Sequence, residues 1–539
     1  MDNNQNSEMN SLNKKVENSN KPGKKSNFML VFLLLIIIGL GSYFIINIKY
    51  KKMIDKDNQT DNKDNTQEET SLNTIKNNSL SEFDLSFLKM ENGKNNVLYS
   101  PISIKYALKM LEDGTNGNSK KQISNIIGDY KINKYTNSAN IAFANALFVK
   151  DTYSSNINKT FINKLSTDYG AEVIYDSFSN ANNINSWIKN KTLNLIDNLF
   201  DDSAVSNSDF FITNSLGIDM EWKEKIQPDN FPYEHLSSHE KFNVYVSSLK
   251  SGSGYKLLDF NESGKVKSVE FAAAINNYDI IKELGEENIR EFVQKKYEEW
   301  VAKGDTCGEE NSTFSIDDYI KELASNYGKY SSSTDFLMYI DDNVKAFTKD
   351  LKEYNGITLQ YVGIMPIDID IEAYINNLTI DKLNNITSNL KEIRPENFKQ
   401  GVATRITGIL PLFNFEYDLD LYNDLKRMSV TDVFDNRKAD LSNLTLQKNA
   451  YLNTVKHKAN IEFSNDGIKA SAATTVGGLG AGSCGFNYIY DIPVEEIDLT
   501  FDKPYLFMIR NKNTNEIWFM GKVYNPVKCK TFFYDACID

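Results

Sequence analysis

Apolar positions change texture three times along the chain. Residues 1–27 are rich in Asn, Ser and Lys with no apolar period, which predicts a disordered tail. Phe28–Ile46 (FMLVFLLLIIIGLGSYFII) then runs 19 residues without a charge. As a helix rising about 1.5 Å per residue it would reach roughly 28 Å, close to the hydrocarbon thickness of a bilayer. The run is long for the apolar core of a cleaved leader and no A-x-A-like site follows, so residues 28–48 are predicted to be a retained transmembrane helix. Residues 49–82 turn polar again, rich in Asn, Asp, Lys and Thr. A flexible coil of about 33 residues has a root-mean-square reach on the order of 30 Å, so this stretch reads as a tether.

From residue 83 to 526 helical and strand periods are interleaved irregularly, without an internal repeat. Pro101–Leu111 spaces Ile104, Ala107, Leu108 and Leu111 at helical intervals behind Ser100 as cap and Pro101 as first residue. Thr192–Phe200 and Ile371–Leu390 also read as helices. Asn140–Lys150, Phe210–Leu216, Ile357–Met365 and Leu506–Ile509 read as buried strands. This predicts one α+β domain with large sheets rather than a regular βα repeat. Residues 270–345 differ: Asp279–Lys303 spaces Leu284, Ile289, Phe292, Val293, Trp300 and Val301 near-helically among many Glu and Lys. After a Gly- and Cys-containing break, Ser315 and Asp318 open a second run in the manner of a capping box. A helical hairpin inserted in the host domain is expected over 270–345. Residues 527–539 form a short C-terminal tail.

Charge and cysteine usage narrow the function classes. Sixty Lys and Arg against 73 Asp and Glu give a net charge of −13, the wrong sign for a sequence-general nucleic-acid binder. With 41% hydrophobic and 12% aromatic residues the chain buries a large core. Four Cys in 539 residues do not make a disulfide framework. Cys529 and Cys537 lie close enough in the tail to pair locally outside the membrane, or to stay free. Lysines flank the apolar span on both sides (Lys14, Lys15, Lys21, Lys24 and Lys25 before it; Lys49, Lys51, Lys52, Lys56 and Lys63 after it), so the positive-inside comparison does not orient it.

The segment NVLYSPISIKYALKMLEDGTNGNSKKQI (Asn96–Ile123) resembles the opening of the serpin family. NIAFANALFVKDTY, the Tyr169–Val173 run, INSWIKNKT, FFITNS before Trp222, LPLFNFEYDLDLYNDLKRMSVTDVFD and KADLS follow in the family's order. VKHKANIEFSNDGIKASAATTV and FDKPYLFMIRNKNTNEIWFMGKVYNP complete the set. The resemblance implies a serpin fold: a large mixed sheet, two smaller sheets and a helical layer, over residues 83–526. It implies no enzyme, cofactor or metal, and a monomer that inhibits serine proteases, or in the alternative cysteine proteases. An exposed reactive-centre loop is cleaved as a substrate, and its N-terminal part enters the large sheet as a new strand. The alternative is a non-inhibitory surface-binding protein on the same fold.

An inserting strand alternates its side chains between two faces. In GIKASAATTVGG, Ile468, Ala470, Ala472, Thr474, Val476 and Gly478 share one face; Lys469, Ser471, Ala473, Thr475 and Gly477 share the other. Only the second carries a charge. The resemblance makes Gly467, Ile468, Ala470, Ser471, Ala472, Ala473 and Thr474 the hinge. Asn465 stands where the family usually has an acidic residue, and Ile468 where it has a small hydroxyl residue; Ile468 is expected to slow insertion rather than forbid it. Counting the family register from Gly467 puts the reactive bond at Ala481–Gly482, with Leu479 as runner-up, inside a loop extended on its primed side over 467–500. The small residues GGLGAGS suit an elastase- or subtilisin-like protease with a shallow pocket. Ser100, Ser103, Asn214 and His457 correspond to the family's buried support cluster, and Trp222 to the residue at the top of the large sheet. An extracellular target places the C-terminal domain outside the cell, tethered to the cell membrane by a single pass. His235 and His239, four apart, have the spacing of zinc ligands on a helix, but Pro232 and two serines make that segment a loop, and no metal site is expected. Cys484 in the loop and Cys307 in the insertion are reactive thiols or bystanders; a catalytic Cys484–His457 pair is the enzyme alternative, set against the strand pattern around it.

Overall fold

A computed structural model of the chain describes residues 80–226, 255–303, 314–326, 330–331, 336–468, 486, 492–533 and 536–537. The predicted transmembrane span and tether lie outside these residues, apart from the tether's last three. There the chain is already folding: Ser81 and Asp84 form a capping box that starts the Glu82–Met90 helix. Among the described residues no helix is long and apolar enough to cross a membrane.

Strands are numbered along the chain. A seven-stranded antiparallel sheet runs β1 (Val97–Tyr99), β19 (Ile517–Val523), β18 (Tyr505–Asn511), β11 (Leu359–Pro366), β10 (Val344–Asp350), β9 (Phe336–Ile340), β12 (Lys391–Glu392). A second seven-stranded sheet runs β17 (Val494–Asp498), β13 (Ala403–Pro411), β7 (Gly264–Asn276), β6 (Tyr255–Phe260), β21 (Ala536–Cys537), β20 (Phe532–Phe533), with β8 (Tyr330–Ser331) on β7. Two smaller sheets run β3 (Glu172–Asp176), β2 (Ile141–Lys150), β4 (Phe210–Ile218), and β14 (Phe413–Leu419), β15 (His457–Phe463), β16 (Gly467–Ile468), β5 (Met220–Glu221). β4 leads into β5 through Asp219 alone. Where one large sheet is expected there are two: β16 pairs with both β15 and β5, the continuation of β4, but among the described residues no ladder joins β4 to β15.

The Pro101–Gly114 helix follows its sequence: Ser100 accepts from the Ser103 amide, Pro101 occupies the first turn, and the apolar face packs against β4 and β19. Fully buried Trp518, Tyr99, Tyr361 and Tyr505 centre the core.

Four expectations are corrected. Thr192–Phe200 is not helical: the Asn182–Lys191 helix ends before it, and Leu193, Asn194 and Asn198 take positive φ. Tertiary contact decides this, because the Thr192 carbonyl lies against Gly217, where a Cβ would come within 2.6 Å of it. Ile371–Leu390 divides into Ile371–Asn376 and Ile380–Ser388, with Thr379 capping the second piece. The insertion is narrower than 270–345. Phe271, Ala273 and Ile275 are buried in β7, paired with β13 through Asn276, and Phe336–Ile340 already pairs with β10. The helices Ile280–Leu284, Glu286–Lys303 and Ile316–Asn326 remain, capped by Asp279 and by Ser315, whose hydroxyl accepts from the Asp318 amide. Finally, the extended loop ends short of residue 500, because Val494–Asp498 pairs in parallel with β13.

The C-terminal tail is also ordered where it is described. Cys529 and Cys537 are bonded, and Ala536–Cys537 adds to the edge of β6 opposite Lys256 and Tyr255.

Candidate functional site

Two-residue β16 sits between two older strands at the top of the divided sheet. Gly467 and Ile468 pair antiparallel with Glu221 and Met220 of β5, and Ile468 with Phe463 of β15. A Cβ on Gly467 would collide with the Met220 carbonyl and stand 2.7 Å from the Glu221 Cα, so only glycine admits the chain here. Ser464 builds the turn before it: its hydroxyl accepts from the Asp466 and Gly467 amides, both at 3.3 Å.

Trp222 roofs this turn. Fully buried, it donates Nε1–H to the Ser464 carbonyl at 2.8 Å and its amide to Asp466, and its ring meets those of Phe463 and Tyr361. Lys225 pairs with Asp466 at 2.8 Å, a hydrogen bond that raises the lysine's pKa. Asn465, standing where the family has an acid, accepts from the Tyr255 hydroxyl at 3.5 Å, while its carbonyl takes the Ile226 amide.

Lower down, the support cluster forms in two linked halves. The Ser100 amide donates to His457 Nε2 at 3.0 Å, and the Ser100 hydroxyl donates to the Trp518 carbonyl while accepting from the Ser103 amide. The Ser103 hydroxyl reaches Asn214, whose amide donates to Asn145 Oδ1 at 2.7 Å. His457 is therefore a neutral acceptor, and burial pushes its pKa down to about 4. The sequence missed Asn145, whose side-chain amide in turn donates to the Tyr169 carbonyl; its place opposite Asn214 on β2 is visible only once the strands are paired. A narrow cleft lined by Ser103, Asn214, Leu425, Leu452, Val455 and His457 lies beside the cluster.

Along β15, His457, Ala459, Ile461 and Phe463 are buried while Lys458, Asn460 and Glu462 are half-buried. Ala470, Ser471, Ala472, Ala473, Thr474, Leu479, Ala481 and Gly482 lie outside the described residues, as do His235, His239, Cys307 and Cys484. Among the described residues no group of His, Cys, Asp and Glu is arranged to hold a metal ion.

The family model described as "Serpin (serine protease inhibitor)" matches residues 78–281 and 331–526. The chain belongs to the serpin family. The gap in the match contains the helices Glu286–Lys303 and Ile316–Asn326, so they are foreign to the family's common core. Among curated serpins, human leukocyte elastase inhibitor is 25% identical over 464 residues, covering 81% of this chain and 95% of its own. Among solved structures, the native thermophilic serpin tengpin superposes with a TM-score of 0.52 at 22% identity, covering 84% of this chain and 97% of its own. A thyroxine-binding globulin in complex with thyroxine superposes at 0.54 with 17% identity, over 83% of this chain and 98% of its own. At those identities the two structures speak for the fold alone.

Proposed function

We propose that this serpin is a membrane-tethered suicide inhibitor of serine proteases with shallow specificity pockets, elastase- or subtilisin-like, displayed outside the cell by a single N-terminal span. The observation that carries the reading is the register of β16. Continued downward, the β5 pairing would set residues 470, 472 and 474 opposite Ile218, Leu216 and Asn214. The β15 pairing would set the same residues opposite Ile461, Ala459 and His457. Those β15 positions are the buried ones, and directly opposed residues in an antiparallel pair share a face. Ala470, Ala472 and Thr474, small and uncharged, are thus the residues that would go inward, and Lys469 would go outward. The loop composition and the receiving strands agree in phase.

In this reading the protease serine oxygen attacks the Ala481 carbonyl. The Ala481–Gly482 bond breaks, the new amine of Gly482 takes the proton, and Ala481 stays esterified to the enzyme. Insertion then competes with hydrolysis of that ester and carries the acylated protease away from its working geometry. The test is to mix residues 50–539 with subtilisin or a pancreatic elastase and boil the mixture in detergent. An adduct with the mass of the protease plus the chain cut after Ala481 is expected. Cleavage within 467–485 without any adduct would leave a serpin-fold binder or substrate.

A further inference from the structure

The helical insertion does not close its own core. Ile289, Val293, Ile320 and Leu323 are buried in it, but the same cluster takes in Ile492 and Phe486 from the far side of the reactive loop. Phe486 is ringed by Tyr319 at 5.1 Å, Tyr297 at 5.4 Å, Phe314 at 5.6 Å and Trp300 at 5.7 Å between ring centroids. Tyr297 and Phe314 stack on each other at 3.8 Å, giving the cage a fixed wall. All four cage residues lie within 282–330, the stretch that the family model skips. The loop is thus anchored at Ile468 by β16 and again at Phe486 by the insertion.

We propose that the inserted helices are a clamp on the primed side of the reactive loop, with Phe486 as the positioning residue that restricts cleavage to bonds before it. This rests on the reading of 469–485 as protease bait. A protease takes its substrate as an extended strand with the side chain before the cut in its own pocket. A ring held among four aromatic side chains is withheld from that pocket, although a phenylalanine in an exposed loop would otherwise suit an aromatic-specific protease. After a cut at Ala481–Gly482 the clamp retains the new N-terminal segment on the body while the other side is free to insert. The insertion and the lengthened loop are on this account one device: the extra chain is what reaches the cage.

The test is limited proteolysis with chymotrypsin, mapped by mass spectrometry, on the parent and on Trp300→Ala, Tyr319→Ala and Trp300→Phe variants. Each lost aromatic contact raises the open fraction of the site, so cleavage after Phe486 should accelerate about tenfold in either Ala variant. Trp300→Phe should restore protection, which a general loosening of the helices would not explain, and the rest of the digest should match the parent. Should Trp300→Ala fail to fold, Tyr319→Ala at the cage's other wall gives the same readout. Cleavage after Phe486 in the parent as fast as in a free peptide of the same sequence, or at equal rates in parent and Ala variants, would overturn the clamp. None of these readouts needs inhibition. Protection that depends on the cage, together with a failure to form the boiled adduct, would keep the clamp and remove the inhibitor.

Discussion

Placing an arginine at Ala472 tests whether the loop enters the sheet in the register that β16 begins. Continued pairing would put the side chain between Leu216 and Ala459, which are 4% and 2% exposed, so a guanidinium there would be taken out of water. An uncompensated buried charge costs about 3–5 kcal/mol. If half of that is felt at the rate-limiting stage of insertion, the step slows roughly 30-fold, since about 1.4 kcal/mol is a factor of ten. Deacylation, which does not involve Ala472, keeps its rate. Ala472→Arg should therefore be cut at the same bond as the parent but release active protease, with the stoichiometry of inhibition rising by an order of magnitude. Ala473→Arg is the control. It would face Ser215 on one side, which is buried, but on the other Lys458, whose partner Glu416 is half exposed. A long side chain can reach solvent past that pair, so an intermediate loss is expected. The assay is titration of residual protease activity against inhibitor, with cleavage mapped by mass. Equal stoichiometries for the two variants would refute the register.

Gly467→Val forces a side chain into the Met220 carbonyl; it should expel the hinge from between β5 and β15, lower stability by about 1–3 kcal/mol and slow adduct formation, as read by hydrogen exchange at Ile468 and by gel. His457, held at about 4 against 6.5 in the unfolded chain, is protonated more readily when unfolded, so its contribution to stability rises with pH across that window and is lost below it, to a depth of about 3 kcal/mol. Asp424, buried beside Glu91 and pushed up to about 7, acts in the opposite direction over the same range; the His457 effect is therefore read as the difference between the parent and His457→Gln in melting temperature at pH 4.5 and pH 7, and an unchanged difference would refute it. Deleting residues 1–49 should release a folded protein from membranes into solution; a truncated chain that still sediments with membranes would contradict the tether.

The site was legible in sequence where a local rule and a structural need coincide. Ser100 and Pro101 mark a helix start by chemistry alone, and the structure caps that helix with Ser100. The rest depends on contacts between distant residues. Thr192–Phe200 has helix-compatible spacing, yet the approach of its backbone to Gly217 on β4 fixes a turn instead. Phe271–Ile275 falls inside the expected helical insertion because Ala272–Ala274 suits either period, and only pairing with β13 decides for strand. The division of the large sheet at β16 has no signal of its own. Nor has the docking of Phe486: of the four rings that surround it only Trp300 stands out in the helical period of the insertion, and nothing in the sequence says what it meets.

Thermal unfolding of the same protein before and after a single cut between Ala481 and Gly482 tests most directly whether cleavage lets the loop become a strand of the sheet. A new central strand adds ladder hydrogen bonds to both β4 and β15 and buries Ala470, Ala472 and Thr474. About 1 kcal/mol moves the midpoint of a domain of 150–250 residues by roughly 2–4 °C. The cut chain is therefore expected to melt well above the intact one, although a nick in an ordinary loop lowers stability or leaves it alone. A cleaved protein that melts at or below the temperature of its intact form would contradict insertion.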